Sequence, residues 1–312
     1  MSKKIAVIIP AFNEELLILK TLNSVPTVVD KIFVINDAST DNTESIVLDA
    51  IKNNHKINLI SLEKNSGVGY SIVKGYEAAY NQGYDIGVVM PGDAQALPED
   101  FINLIDPVLN LDFDYSKGNR LKNKNVAKIM PKHRLYGNTI LTLLTKFASG
   151  YYHIMDPQMG YTALNLKILP KLNISTLIKR YGYPGHLLYL LNLADAKVVD
   201  VDVIPHYGEE KSGIKLFSFI PKLVFLLLRL FFSRVFKKLV KENLSPAGLS
   251  YSMSFLFIFF IIPFLIIRSI NLFSLKGYIP ELTFISLTTS ITLFFVFFFF
   301  GVLFDVQENQ RK

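Results

Sequence analysis

Residues 87–100 read GVVMPGDAQALPED, and the fold of the chain turns on how that stretch is understood. Ile86 to Met90 form a continuous apolar run, the pattern of a strand covered on both faces. Pro91 and Gly92 end it, because proline withholds a backbone N–H and glycine accepts turn geometry. Asp93, Ala94 and Gln95 then stand at the strand tip. A carboxylate in that position can bind a ligand or can simply close a turn, and the segments upstream decide between the two.

Those segments alternate. Apolar, strand-like runs over 5–9, 31–35, 57–62 and 85–90 are separated by helix-like stretches over 14–22, 41–53 and 69–81. This order predicts an α/β fold with a mostly parallel sheet and helices on both faces. Ligands of such sheets sit beyond the carboxyl ends of the strands. Each of the four strand ends is polar: PAFNEE over 10–15, NDASTDN over 36–42, EKNSGVGYS over 63–71 and PGDAQ over 91–95. Taken singly, each has a structural explanation. Asn13 can cap a helix, Glu44 can close a capping box on Asp41, and Gly67 and Gly69 can serve a turn. Four polar turns on one sheet edge point instead to a binding site.

In this order and spacing, VIIPAFNEE, VINDASTDNT, NSGVGYSIVKGYEAA, GDAQ, GNRL (118–121) and DPQMGYTAL (156–164) resemble the nucleotide-sugar domain of family-2 glycosyltransferases. With the apolar C-terminal region described below, the chain most resembles the polyprenyl-phosphate glycosyltransferases, the dolichol-phosphate mannose synthase group. The resemblance implies a GT-A fold, a UDP- or GDP-hexose donor, a divalent cation and a role in cell-envelope glycan assembly. It places Pro10, Ala11, Asn13 and Glu15 along the nucleoside pocket and Asp37 against the base or ribose. Asn65 and Gly69 would shape the loop nearby.

The chain departs from the family at the metal site. The usual D-x-D would put its first aspartate where Pro91 stands, which leaves Asp93 and Gln95 as the side-chain metal ligands. Mg²⁺ commonly takes only one or two carboxylates and completes its octahedron with phosphate oxygens and water; Mn²⁺ accepts the same ligands.

On the acceptor side, the resemblance makes Arg120 and Arg134 the clamps for a lipid phosphate, which the planar guanidinium fork suits. Asp156 and Gln158 would either hydrogen-bond the donor sugar or hold their loop. Glu209, Lys211 and Ser212 would be a lid over the diphosphate or a solvated linker. No general base stands out, and a phosphate acceptor needs none, being anionic near neutral pH; a glycan hydroxyl acceptor would need one. The expected activity is therefore inverting hexose transfer to a polyprenyl phosphate. The alternatives are transfer to a glycan hydroxyl, or binding of a nucleotide sugar without turnover.

Composition fits this reading. The 312 residues contain no cysteine, which excludes disulfides and thiolate chemistry, and no tryptophan, so the Q-x-x-R-W motif of processive synthases is missing. The net charge of +7 gathers largely beside apolar segments, which speaks for a membrane surface and against nucleic acid. Stretches over about 249–267 and 282–304 are uncharged and long enough to span a bilayer. Residues 214–242 mix basic and apolar residues, as interfacial amphipathic helices do, with a break allowed at Pro221. The expected organisation is a catalytic domain over 1–212, juxtamembrane helices over 213–243 and a transmembrane hairpin over 244–312. Flanking lysines and arginines put the catalytic domain and the C-terminus in the cytoplasm. The short run over 5–9 does not read as an export signal. Homo-oligomerisation is left open.

Overall fold

A computed structural model describes residues 3–94, 96–121, 132–204, 216–242 and 244–310; the side chains of 132–138, 216–219, 239, 241–242 and 310 are outside the description. The chain divides into two compact units, Met1–Leu230 and Phe231–Arg311.

The first unit is built on one seven-stranded sheet, ordered β3-β2-β1-β4-β6-β5-β7. The strands are β1 (Ile5–Ala11), β2 (Lys31–Asn36), β3 (Ile57–Ser61), β4 (Ile86–Val89), β5 (Tyr115–Asn119), β6 (Thr162–Asn165) and β7 (Val198–Asp202). Strands β1 to β4 pair in parallel, as does β5 with β7, while β6 runs antiparallel between β4 and β5. The expectation of a mostly parallel sheet therefore holds.

Strand alternation explains the two-sided core. In β1, Ile5, Val7, Ile9 and Ala11 enter one apolar cluster, and Ala6 and Ile8 enter the other. The first cluster lies under α1 (Ile18–Asn23), α2 (Thr43–Asn53) and α4 (Glu99–Asn110). The second is closed by α3 (Val68–Asn81), α5 (Lys132–Ser149), α6 (Tyr183–Leu193) and residues of α7 (Leu216–Arg234). Both faces of the central strands are thus dry, and their polar groups gather at the strand ends.

Two local expectations fail. The first helix starts at Ile18 rather than at residue 14, because residues 13–15 are spent on loop contacts. The capping box on Asp41 does not form. Glu44 instead accepts hydrogen bonds from Asn36 and Ser61 across the strand ends (3.1 and 2.8 Å), while Asp41 binds Thr43.

Helix α7 continues through Pro221 without a break. Its inner stripe is Leu223, Leu227, Leu230 and Arg234, while Lys222, Phe225, Leu228, Arg229 and Phe232 face outward, as do Phe236 and Lys237 just beyond its end. Arg234 and Lys238 are therefore buried, contrary to their expected place among the lipid-facing basic residues.

In the second unit, a π-helical turn (Val235–Glu242) follows α7. Helix α8 (Pro246–Leu256) begins at the cap Ser245, whose hydroxyl accepts from Gly248 N (3.2 Å) with Pro246 in the first turn. A π-helical turn (Phe257–Ile261) precedes Pro263, and α9 (Ile262–Lys276) completes the rod. The proline ring crowds the carbonyl four residues back, and the wider turn accommodates it. Helix α10 (Glu281–Gln310) returns. Pro246–Lys276 and Glu281–Asn309 are each long and apolar enough to cross a bilayer. Phe259, Phe260, Phe264, Phe295 and Phe299 are more than half exposed along them, so these are not core helices of a soluble domain. They mark the chain as membrane-associated. At one end, Asp305 is fully buried and takes a paired bond from Arg234 (2.8 and 2.6 Å), with Asn309 and Tyr251 also donating to it (3.0 and 3.4 Å).

Candidate active site

A cavity of about 570 Å³ opens at the carboxyl ends of β1, β2 and β4. Pro10, Ala11, Phe12 and Glu14 bound it from the first strand end, and Asp37 from the second. Asn65, Gly67, Val68 and Ser71 contribute from the loop and first turn of α3. Pro91, Gly92 and Asp93 come from the fourth strand end, and Arg180 and Tyr181 from the segment before α6. Of the expected nucleoside residues, Pro10, Ala11, Asp37 and Asn65 therefore meet at one cavity together with Asp93.

Asn13 and Glu15 do not line it. Asn13, at φ 58°, accepts from Thr40 N (2.8 Å), and its own N–H donates to Ser39 (3.0 Å). Glu15 accepts from both the backbone and the side-chain nitrogen of Asn42 (3.0 Å each). Both residues lace the first strand end to the second, and Glu14, one position earlier, is the carboxylate that reaches the cavity. The sequence offered two adjacent glutamates and no periodic signal to choose between them.

Asp37 is buried and works as a loop anchor. Its two oxygens accept from Ser66 N and Gly67 N, 2.7 Å each, so the Gly-Val-Gly turn is held against the second strand end. Gly69 shapes this turn from outside the cavity. A Cβ there would lie 2.1 Å from Ile178 O, and one on Gly67 (φ 97°) would lie 2.5 Å from Arg180 Cγ. Glycine at both positions lets residues 178–181 close on the start of α3, where Tyr70 N binds Lys179 O (3.1 Å). That closure carries Arg180 to the rim, with Nη2 donating to Asn65 O (3.4 Å). Arg180 carries no signal in the sequence. It lies in a helix-start region without a recognisable motif, and only the close approach of two loops brings it to the site.

The Asp93 turn is fixed by a residue the sequence also left unnoticed. The buried hydroxyl of Thr21, on α1, donates to Gly92 O (2.9 Å) and accepts from Ala94 N (3.1 Å), with Ala94 at φ 55°. Asp93 is half-buried. Burial, and after it the charge of Asp93, push the Tyr183 phenol above its usual pKa, so that ring stays neutral beside the carboxylate. The donor set suits a hard divalent ion that brings most of its ligands with it: the Asp93 carboxylate on an open cavity that Glu14 also lines, Asp37 being committed to Ser66 N and Gly67 N, with room for a diphosphate and no competing thiolate or histidine cluster among the described residues. Gln95 lies outside the described residues, as do Glu209, Lys211 and Ser212.

Arg120 and Asp156, assigned separately to acceptor phosphate and sugar, are brought together. Arg120 Nε donates to Asp156 Oδ2 (2.8 Å), Nη2 to Oδ1 (3.2 Å), and the backbone N to Oδ2 (3.2 Å). Asp156 thus binds both the backbone and the guanidinium of Arg120, 36 residues away, and orients that guanidinium. Gln158 is half-buried in the same loop. Arg134 falls in the first turn of α5, and its side chain is outside the description.

Comparison with known proteins agrees with this geometry. The profile of "Glycosyl transferase family 2" matches residues 6–172. A Methanococcus voltae protein named UDP-N-acetylglucosamine–dolichyl-phosphate N-acetylglucosaminyltransferase is 32% identical over 66% of this chain and 87% of its own. A Trichomonas vaginalis protein named dolichyl-phosphate beta-glucosyltransferase is 25% identical over 64% of each. Among solved structures, glucosyl-3-phosphoglycerate synthase of Mycobacterium tuberculosis, in complex with Mn²⁺, UDP and glucosyl-3-phosphoglycerate, superposes with a TM-score of 0.58. It is 20% identical, and the match covers 73% of this chain and 80% of that one. At that identity the likeness speaks for the fold.

Proposed function

The chain belongs to glycosyl transferase family 2 and is a glycosyltransferase; from that premise we propose that it transfers a hexose, with inversion, from a nucleoside-diphosphate sugar to a polyprenyl phosphate at a membrane. The observation that carries the donor half is the convergence of Pro10, Ala11, Asp37, Asn65 and Asp93 on one cavity from four separate strand ends. The acceptor half is supported by the names of the relatives and by two apolar helices long enough to anchor the enzyme where such a lipid resides.

In this reading the nucleoside lies between the first and second strand ends, with its diphosphate toward Asp93. Asp93, with Gln95, would hold a Mg²⁺ or Mn²⁺ ion, whose chemistry is to neutralise charge on the departing diphosphate. Arg120, oriented by Asp156, and Arg134 hold the acceptor phosphate through paired N–H···O bonds. A phosphate oxygen attacks the anomeric carbon from the face opposite the leaving group. The bond from that carbon to the diphosphate breaks, and the nucleoside diphosphate departs. The attacking oxygen is already anionic, so no residue has to remove a proton. Exposed Lys222 and Arg229 among the apolar residues of α7, and Lys237 in the turn that follows, suit an interface with anionic lipid. The catalytic unit and both chain ends then lie on the cytoplasmic side.

The test is transfer itself. Full-length protein in detergent is incubated with dolichyl phosphate and radiolabelled UDP-N-acetylglucosamine, UDP-glucose or GDP-mannose, with Mg²⁺, Mn²⁺ or chelator. Label in the organic phase, lost with chelator and with Asp93→Ala, is the expected result. Nucleotide binding without transfer from any donor would overturn it in favour of a binding protein.

A further inference from the structure

Beneath the acceptor residues lies a group of charges that the proposed reaction does not use. Lys117 on β5 and Asp200 on β7 are paired directly across the two parallel strands and point to the same side of the sheet. Lys117 is fully buried, and its Nζ donates to Met159 O. Asp200 Oδ2 accepts from Met155 N (2.6 Å) and from Asn119 Nδ2 (3.2 Å). The two side chains thus fasten the two ends of the five-residue loop 155–159. Between those ends, Asp156 grips Arg120 by three bonds. Asn119 closes the circuit, because its Oδ1 accepts from Leu121 N (2.9 Å), so both neighbours of Arg120 are tied to the same network.

We propose that Lys117 and Asp200 are positioning residues for the acceptor half of the site: they hold loop 155–159, and through Asp156 the guanidinium of Arg120, in the geometry that meets the acceptor phosphate. The inference rests on the reading of Arg120 as a phosphate clamp. Its physical basis is the cost of the arrangement. Apolar residues at these two positions would avoid the desolvation of two charged groups, whereas charged groups committed to defined hydrogen bonds fix one arrangement of the loop around them. Charge balance points the same way. Lys117 and Arg120 face Asp156 and Asp200, so neutralising Asp200 leaves Asp156 shared between two cations, and neutralising Lys117 leaves two carboxylates facing Arg120 alone. Burial draws the Lys117 amine down to about 8 and the Asp200 carboxyl up to about 6, which leaves the network sensitive to charge near neutral pH. Lys146 on α5, next to Met155, and His153, bound to Val198 O, are the other titratable groups close by.

The test uses full-length protein carrying Asp200→Asn, Lys117→Met, or both Lys117→Met and Asp200→Leu; the double variant restores neutrality if a single one does not fold. Hydrogen exchange of the Met155 and Arg120 amides should speed up about tenfold or more, while Val7 and Val88 in the central strands keep their protection. UDP affinity in Mn²⁺, measured calorimetrically, should stay within about twofold. In the transfer assay the KM for dolichyl phosphate should rise about tenfold, with the KM for the nucleotide sugar unchanged. Unchanged exchange at Met155 and Arg120 in a folded variant overturns the positioning role. So does an equal rise in both KM values, which marks general loosening. If the wild type transfers nothing to dolichyl phosphate, the acceptor reading fails on its own, and the exchange data still decide whether the pair holds the loop.

Discussion

His186 gives a prediction whose size can be worked out. It sits in α6 with 9% of its surface exposed, and its Nδ1 accepts a hydrogen bond from Ile178 N at 3.2 Å. Burial first, and then the charge of Arg229, lower its pKa from 6.5 to about 4. The unfolded chain therefore takes up a proton, between these values, that the folded protein refuses. Stability linked to the neutral ring is complete above the unfolded pKa and drains away as pH falls toward the folded one. A shift of that size is worth on the order of 3 kcal/mol. His186→Asn keeps an acceptor oxygen near the Nδ1 position and cannot titrate. Urea unfolding of the full chain in detergent, followed by far-UV circular dichroism, would be compared at about pH 7 and about pH 4. Other carboxylates titrate in both proteins, so the difference between them isolates the histidine. That difference should change by ~2–3 kcal/mol in favour of the variant at the acid end. A difference constant within about 0.5 kcal/mol would refute the linkage, since a shift this large must appear in the pH dependence. A functional consequence accompanies it. Protonation sets a ring N–H against the Ile178 N–H, at the base of the segment that brings Arg180 and Tyr181 to the cavity. UDP affinity should therefore fall further in the wild type than in the variant as pH drops.

Other expectations follow from single contacts. Gly69→Ala places a Cβ 2.1 Å from Ile178 O, so the 178–181 segment must withdraw; about 1–3 kcal/mol of stability should be lost, and the calorimetric Kd for UDP should rise about tenfold. Thr21→Val keeps the shape of the side chain and removes the two bonds that pin the Asp93 turn. Stability should fall by roughly 1–2 kcal/mol, while kcat/KM falls disproportionately, as paired unfolding and transfer assays would reveal. Asp305→Ala removes the carboxylate that takes the paired bond of the buried Arg234 guanidinium and should cost about 3–5 kcal/mol, much of it recovered by Arg234→Met with Asp305→Leu; thermal unfolding in detergent measures both.

The central sheet was legible because burial writes itself into composition. Ile5 to Ile9 and Ile86 to Met90 are apolar throughout, as strands covered on both faces must be, and the helices between them show in the sequence although the first starts four residues late. The donor cavity was legible for a related reason. Parallel topology sends the ends of β1 to β4 to one edge, and the resemblance to family-2 glycosyltransferases picked out Pro10, Asp37, Asn65 and Asp93 on it. The two long apolar helices announced themselves by length. Pro91, in place of a carboxylate, was also visible at once.

Side-chain partnerships were beyond the sequence, because they depend on contacts between residues far apart in it. The family resemblance marked Asn13 and Glu15 as pocket residues, yet both tie loops together, and Glu14 takes the cavity position. Arg234 looks like a lipid-facing cation until α10 returns and supplies Asp305 from 71 residues away. Arg120 and Asp156, 36 residues apart, appeared as two independent ligands and are one bidentate pair. Lys117 and Asp200 carried no signal, since a charged residue in a strand ordinarily faces water; only the register of β5 against β7 puts them side by side in the interior. The sequence by itself determined the first four strands, the edge where ligands bind and the membrane-associated helices, because hydrophobic periodicity and the succession of elements along the chain are local properties, whereas β5, β6 and β7 escaped it. The tertiary structure alone decided which charged groups neutralise one another and which are left to meet substrate, because a buried charge is tolerated only where a distant part of the chain brings it a partner.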